Sequence, residues 1–132
     1  MKKIFITVVI ITGIFVAASS FVQPGLQESI KRGKEVYATH CQSCHFEKGE
    51  GMDGVYPPMA KNTNLKDAKK NIKFILNGQS GEITVNGKKY NSIMNPMNYL
   101  SDQEIADVLN YVRNSFGNKY PAITPAQVKA GR

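Results

Sequence analysis

The sequence predicts an all-α domain carrying one small β-hairpin, and three patterns support that prediction. Apolar residues recur at helical spacing ahead of residue 40, a capped helix follows Ser101, and a third helical stretch between them ends at Gly78. At 132 residues, 42% apolar and 20% charged, the chain suits one small globular domain once any targeting segment is set aside.

The chain begins "MKKIFITVVIITGIFVAASSFVQPG". Lys2 and Lys3 precede an apolar run from Ile4 to Ala18, and the small residues Ala17, Ala18, Ser19 and Ser20 come before Pro24. That order predicts a secretory signal over residues 1–20, with cleavage near Ser20. Counted through Val22, the run is also just long enough for an uncleaved anchor, although Thr12, Gly13 and the serines weaken it. Either outcome implies export. The remaining domain, residues 26–132, then works in the periplasm or on the outer face of the cytoplasmic membrane.

In "LQESIKRGKEVYATH", Leu26, Ile30, Val36 and Tyr37 form an approximately helical stripe. Gly33 interrupts that helix. A mid-helix glycine costs about 1 kcal/mol against alanine, so another element is expected to pack closely there. In "DAKKNIKFILNG", Ile72, Ile75 and Leu76 make an apolar face and Gly78 ends the helix. The stretch "ITVNGKKY" alternates on either side of Asn86-Gly87, a two-residue turn signal that predicts a hairpin near residues 83–90. After "LSDQEI", Ser101 and Glu104 have the spacing of a capping box. Ile105, Val108, Leu109, Val112 and Phe116 then recur until Gly117 stops the helix. Thr124, Pro125 and Gln127 resemble the cap of a short last helix over residues 125–130.

Both cysteines fall in "THCQSCH", residues 39–45, with His45 directly behind the second. A bridge between Cys41 and Cys44 would close too short a loop to restrain the unfolded chain. A thioredoxin-like pair would follow a strand, whereas the stretch before Cys41 is helical. Zinc would need a fourth ligand, and the second histidine, His40, adjoins Cys41 and competes for the same corner; His40 reads as a helix-end residue. C-x-x-C-H is the signature of c-type haem attachment, in which each thiol adds to a vinyl group and His45 becomes an axial ligand.

With these segments in view, the chain resembles the class I (monohaem) cytochromes c of bacteria. The resemblance covers essentially the whole mature chain, from "GKEVYATHCQSCH" through "YPPMA" and "LNGQSGEITVNGKKY" to "MNPMNYLSDQEIADVLNYVRNSFGN". The pattern "LSDxEIAxVLxYVRNSxGN" is common in small exported cytochromes that accept electrons from dehydrogenases or feed oxidases and nitrite reductases. The resemblance implies the all-α class I cytochrome c fold, with helices packed around one covalently bound haem c. Cys41 and Cys44 then match the thioether positions and His45 the proximal ligand. Pro57 or Pro58 matches the proline whose carbonyl receives a hydrogen bond from the proximal imidazole, and Met59 the apolar residue against the haem edge. Gly33 and Tyr37 would cross the last helix near Tyr111, which would account for the glycine.

For the sixth ligand the family implies a methionine, a soft neutral donor that with histidine raises the potential. "SIMNPMNYLSD" supplies Met94 and Met97. Counting back from Leu100 in the family pattern selects Met94. Met97 is the alternative, because the usual proline directly after the ligand is displaced here by Asn95, before Pro96. Met52 and Met59 read as apolar filler.

Loss of Lys2 and Lys3 would lower the formal charge from +7 to +5. Lys61, Lys66, Lys69, Lys70 and Lys73 remain bunched around the middle helix, either as a solvated face or as a docking patch for an acidic redox partner. Export and the lack of an aromatic-basic groove argue against nucleic acid. The expected function is that of an exported, monomeric electron carrier, not an enzyme, shuttling between a dehydrogenase or respiratory donor and an oxidase or reductase. The competing readings are a haem subunit of a larger oxidoreductase complex tethered through the N-terminus, a haem enzyme or gas sensor with an open sixth site, and a thiol oxidoreductase. Methionines in the ligand loop argue against the open site, and covalent haem would exclude free thiols.

Overall fold

A helix that carries glycine at its centre can approach another backbone more closely than any other helix, and that approach organises this fold. The structure, a computed structural model, describes residues 24–132; the signal or anchor segment expected within residues 1–22 lies outside them. The first helix, α1, spans Pro24–His40 and crosses α4, Asp102–Arg113. A Cβ on Gly33 would lie 1.9 Å from the backbone oxygen of Asp107 and 2.9 Å from the Cβ of Tyr111. One turn on, Tyr37 is 1% exposed. Its ring centroid lies 5.4 Å from that of Tyr111 and 5.5 Å from that of Phe116, in tilted arrangements that suit aromatic quadrupoles.

The buried line of α1 differs from the apolar stripe that the spacing predicts. Ser29, Gly33 and Tyr37 are buried, while Leu26, Ile30 and Val36 are half-buried. A polar network explains the difference. Asp107, 2% exposed, accepts hydrogen bonds from Ser29 Oγ at 2.5 Å, from Arg32 Nε at 2.7 Å and Nη2 at 2.9 Å, and from Gln103 Nε2 at 2.8 Å. Burial by itself would push this carboxyl up, but the bonds from Arg32, Ser29 and Gln103 outweigh it and hold the group below the usual carboxylate range. On the same helix face, Asn110 donates to Ser29 Oγ at 2.9 Å and to the Ile123 carbonyl at 2.9 Å. Its own side-chain oxygen accepts from Ile123 N at 2.7 Å. Arg113 is buried in the last turn of α4, where the helix dipole favours a cation, and donates to the carbonyls of Leu65 and Pro121.

The shorter elements follow their local signals. After Cys41 the chain makes a single turn, α2 (Gln42–His45), and later a 3₁₀ turn over Thr63–Lys66. Helix α3 (Ala68–Asn77) is capped by Asp67, which accepts from Lys70 N at 3.0 Å, and ends at Gly78 with φ of 73°. Strands β1 (Ile83–Val85) and β2 (Lys88–Tyr90) pair antiparallel, Ile83 opposite Tyr90. Asn86 and Gly87 both have positive φ, as the two-residue turn requires. Both arms of the capping boxes form, Ser101 with Glu104 and Thr124 with Gln127, the second opening α5 (Pro125–Lys129).

Helix α4 ends at Arg113, earlier than the expected stop at Gly117. Phe116 has a positive φ of 56°, which turns its ring back onto Tyr37 and Tyr111, and its carbonyl accepts from Lys61 N at 3.1 Å. The core gathers Leu65, Ile72 and Leu76 against Ile105, Val108, Leu109 and Val112, with Ile123 and Val128 closing one side. The result is the mainly helical fold with one two-stranded sheet that the sequence predicts. Among the described residues, no helix is long and apolar enough to cross a membrane.

Candidate haem site

Between α2, α3, the hairpin and the inner face of α4 lies a cavity of about 300 Å³, at the lower end of the ~300–1,000 Å³ typical of ligand sites. Leu65, Ile75, Val85, Val108, Leu109 and Val112 make it largely apolar. Cys41, Cys44, His45, Pro57, Met59, Met94 and Met97 all line it, so residues from separate stretches of chain meet at one place. Met52 does not join them. It is 46% exposed, contrary to its reading as core filler, because the tight turn it opens with Tyr56 holds it at the surface.

A helical turn sets the attachment motif. The amides of Cys44 and His45 both donate to the Cys41 carbonyl, at 3.2 and 3.0 Å, and residues three apart on a helix share a face. As a free thiol Cys41 is pushed up to about 12, first by burial and then by Cys44. A thiol so masked is a poor nucleophile at neutral pH, which counts against thiol exchange.

The imidazole is held in one tautomer. His45 Nδ1 lies 2.9 Å from the Pro57 carbonyl oxygen. A carbonyl can only accept, so Nδ1 carries the proton and Nε2 keeps its lone pair. Burial lowers the pKa of the ring despite that bond, which keeps it in the neutral, ligating form. Of the two prolines matched to this role, Pro57 is the one within reach; the Pro58 carbonyl instead accepts from Asn62 Nδ2 at 2.8 Å. Gly51 makes the loop tight enough. It has φ of 63°, and a Cβ there would lie 2.4 Å from the Tyr56 oxygen.

The methionine loop is laid along the end of α3. Met94 and Gln79 exchange two backbone hydrogen bonds of 2.9 Å, and Met97 N donates to the Ile75 carbonyl at 2.7 Å. Gly78, which reads as a helix stop, also makes room for this loop, since a Cβ there would lie 2.4 Å from the Met94 oxygen. Both methionines are half-buried.

Among the cavity residues that escape the sequence reading are three asparagines, Asn62, Asn64 and Asn71. Asn62 ties the wall together, its Oδ1 accepting from Asn64 N at 2.9 Å while its backbone N–H donates to Asn118 Oδ1 at 3.1 Å. The three are polar and belong to no motif or apolar stripe, so no sequence signal marks them. His40 ends α1, as expected, with Nδ1 3.4 Å from the exposed Tyr99 hydroxyl. The five lysines around α3 are all exposed, and among the described residues none is in an ion pair.

Residues 30–116, spanning this whole cavity, match the model of the cytochrome c family. The chain belongs to that family. A cytochrome c-552 of Thermus thermophilus is 37% identical over 91 residues, covering 65% of this cytochrome and 69% of that protein. A second cytochrome c-552 of the same species is 36% identical over 99 residues, covering 71% and 66%. The cytochrome c subunit of a quinone alcohol dehydrogenase from Gluconobacter oxydans is 32% identical over 97 residues, covering 71% of this chain and 20% of that subunit. The chain thus spans about two thirds of the cytochromes c-552 and about a fifth of the dehydrogenase subunit. The expected class I, monohaem assignment and its fold hold, and with them one covalently bound haem c and an electron-carrying role. The cavity fits that group. It offers apolar walls, two thiols one turn apart, a neutral imidazole with a free lone pair and the thioethers of Met94 and Met97 in one loop, and no second attachment motif occurs in the sequence.

Proposed function

We propose that this cytochrome is an exported one-electron carrier in which Cys41 and Cys44 bind the haem through thioethers, His45 is the proximal ligand and Met94 the sixth. Met97 is the alternative sixth ligand. One observation carries the reading: the Nδ1–H of His45 is committed to the Pro57 carbonyl, which leaves Nε2 for iron. When bound, the haem supplies one-electron exchange between Fe(II) and Fe(III).

The chain's own residues make that exchange cheap in reorganisation. Pro57 fixes the ring plane and tautomer of His45 and raises its basicity as a ligand. The two thioethers and the neutral imidazole add no charge that would have to move, and the thioether of the methionine favours the reduced state. Met59 and the aliphatic walls exclude water, and the backbone bonds at Met94 and Met97 hold the methionine loop in place during transfer. No substrate is transformed, so the protein is a carrier and not itself an enzyme.

The donor is a dehydrogenase or other respiratory component and the acceptor an oxidase or reductase. The exposed lysines around α3 favour an acidic docking surface on one of them. Residues 1–20 act as a signal peptide that delivers a monomer to the periplasm or the outer face of the cytoplasmic membrane. A second reading, a membrane-tethered subunit of a larger complex held by residues 4–22, draws on the resemblance to the alcohol dehydrogenase subunit and to a fructose dehydrogenase cytochrome subunit of Gluconobacter japonicus, 32% identical over 108 residues.

The test is spectroscopic. Haem should stay with the polypeptide on a denaturing gel, the ferric protein should show the near-infrared sulfur-to-iron charge-transfer band, and the ferrous protein should not bind carbon monoxide. Haem lost on denaturation would end the thioether reading; rapid carbon monoxide binding would restore the open-site enzyme or sensor. The mass of the mature N-terminus separates shuttle from tether.

A further inference from the structure

The loop that carries Met94 and Met97 is gripped from both sides. Its inner side is tied to the end of α3 by the Gln79–Met94 pair and by Met97 N to the Ile75 carbonyl. Its outer end is held by a residue far away in sequence. Arg132 donates from Nη1 to the Asn98 carbonyl at 3.0 Å, from Nη2 to the Leu100 carbonyl at 2.6 Å, and from Nε to the Asp102 carboxylate at 2.5 Å. All three nitrogens of one planar fork are therefore spent on the segment between the loop and the first turn of α4.

Packing delivers the fork to that place. Val128 of α5 is fully buried, the turn after it closes with Gly131 N on the Val128 carbonyl at 2.9 Å, and a Cβ on Gly131 would lie 2.8 Å from Ile72 Cγ2. The glycine lets the chain pass over α3 and reach the loop. Arg132 does not line the cavity, so it acts on the haem site only through the loop.

We infer that Arg132 is a positioning residue for the sixth ligand, clamping the methionine loop from outside and limiting how often the thioether leaves the iron. The inference rests on the histidine–methionine reading above. Swinging the loop away breaks its bonds to the end of α3 and pulls on the segment 98–102 that Arg132 holds, and hydrogen bonds from a charged donor are the stronger ones. A lysine can keep the attraction to Asp102 but cannot reproduce the fork to two carbonyls.

The test uses the haem-loaded, full-length protein and cyanide as the probe, because cyanide binds ferric haem only after the thioether has left. Arg132→Ala should raise the cyanide binding rate about tenfold and shift loss of the near-infrared band to lower temperature. Arg132→Lys should fall between it and the wild type. Ser29→Ala, which destabilises the distant α1–α4 contact, should keep the wild-type cyanide rate. A cyanide rate within twofold of wild type in Arg132→Ala overturns the inference, as does a Ser29→Ala rate that rises equally. A wild-type protein without the band would remove the ligation reading and this inference with it, whereas a normal band with an indifferent Arg132→Ala removes the inference alone.

Discussion

The backbone of Asp107 packs directly against Gly33, and its side chain ties α4 to the residues of α1 that flank that glycine. The Asp107 carbonyl oxygen would lie 1.9 Å from a Cβ at Gly33, and the Asp107 carboxylate takes hydrogen bonds from Ser29 and Arg32 on the same helix as the glycine. The close approach brings the helices near enough for the polar network, and the network holds them there.

Gly33→Ala should therefore be costly. The obstructing atoms are backbone and cannot rotate away, so the helices must separate. We expect a loss of about 3 kcal/mol, the upper part of the range for overpacking, because the gain in helix propensity is only about 1 kcal/mol. Denaturant unfolding of the haem-loaded protein measures it, and wild-type stability in the variant would contradict the packing argument.

Asp107→Asn should cost about 2 kcal/mol at pH 7, in the range for hydrogen bonds to a charged group. The carboxyl is held lower in the folded chain than in the unfolded one, so its contribution is complete above the ordinary carboxylate pKa of about 3.9 and fades as pH falls through that value and the depressed folded one. Stability curves of wild type and variant should converge in acid. A gap that stays constant down to about pH 2, below the ordinary carboxylate range, would mean that charge is not what holds the site.

The two methionines should separate cleanly. Met94→Ala should abolish the near-infrared band, lower the potential and admit carbon monoxide to the ferrous haem. Met97→Ala should keep the band and cost about 2 kcal/mol of stability, the low end for truncating a methionine that is only partly buried. The reverse result would move the ligand to Met97, and a band surviving in both variants would take the sixth ligand out of this loop.

Charge reversal of Lys69, Lys70 and Lys73 to glutamate should slow electron transfer with the native partner roughly tenfold at low salt. The difference should shrink as ionic strength rises, since screening acts within about 10 Å at 0.1 M. Equal rates at low salt would leave these side chains as solvated surface.

What the sequence alone determines here is local. Two capping boxes, a helix stop at Gly78, the Asn86-Gly87 turn and the helical turn over residues 41–45 each complete their physical requirement within a few consecutive residues. The resemblance adds candidate residues that local reading cannot connect, and Pro57, Met59, Met94 and Met97 all line one cavity with Cys41, Cys44 and His45. Tertiary structure alone decides the rest. It chooses Pro57 over Pro58 by bringing one carbonyl to the imidazole, turns Phe116 back so that α4 ends early, and leaves Met52 outside. It also buries Ser29, Asp107, Asn110 and Arg113, residue types that a hydrophobic pattern assigns to the surface. Periodicity records which face of an element is apolar, whereas a polar side chain is stable in the interior only when its partners arrive from elsewhere in the chain to replace water. Ser29 meets Asp107 across 78 positions, and Arg132 meets Leu100 across 32, so neither pairing exists until the helices have packed.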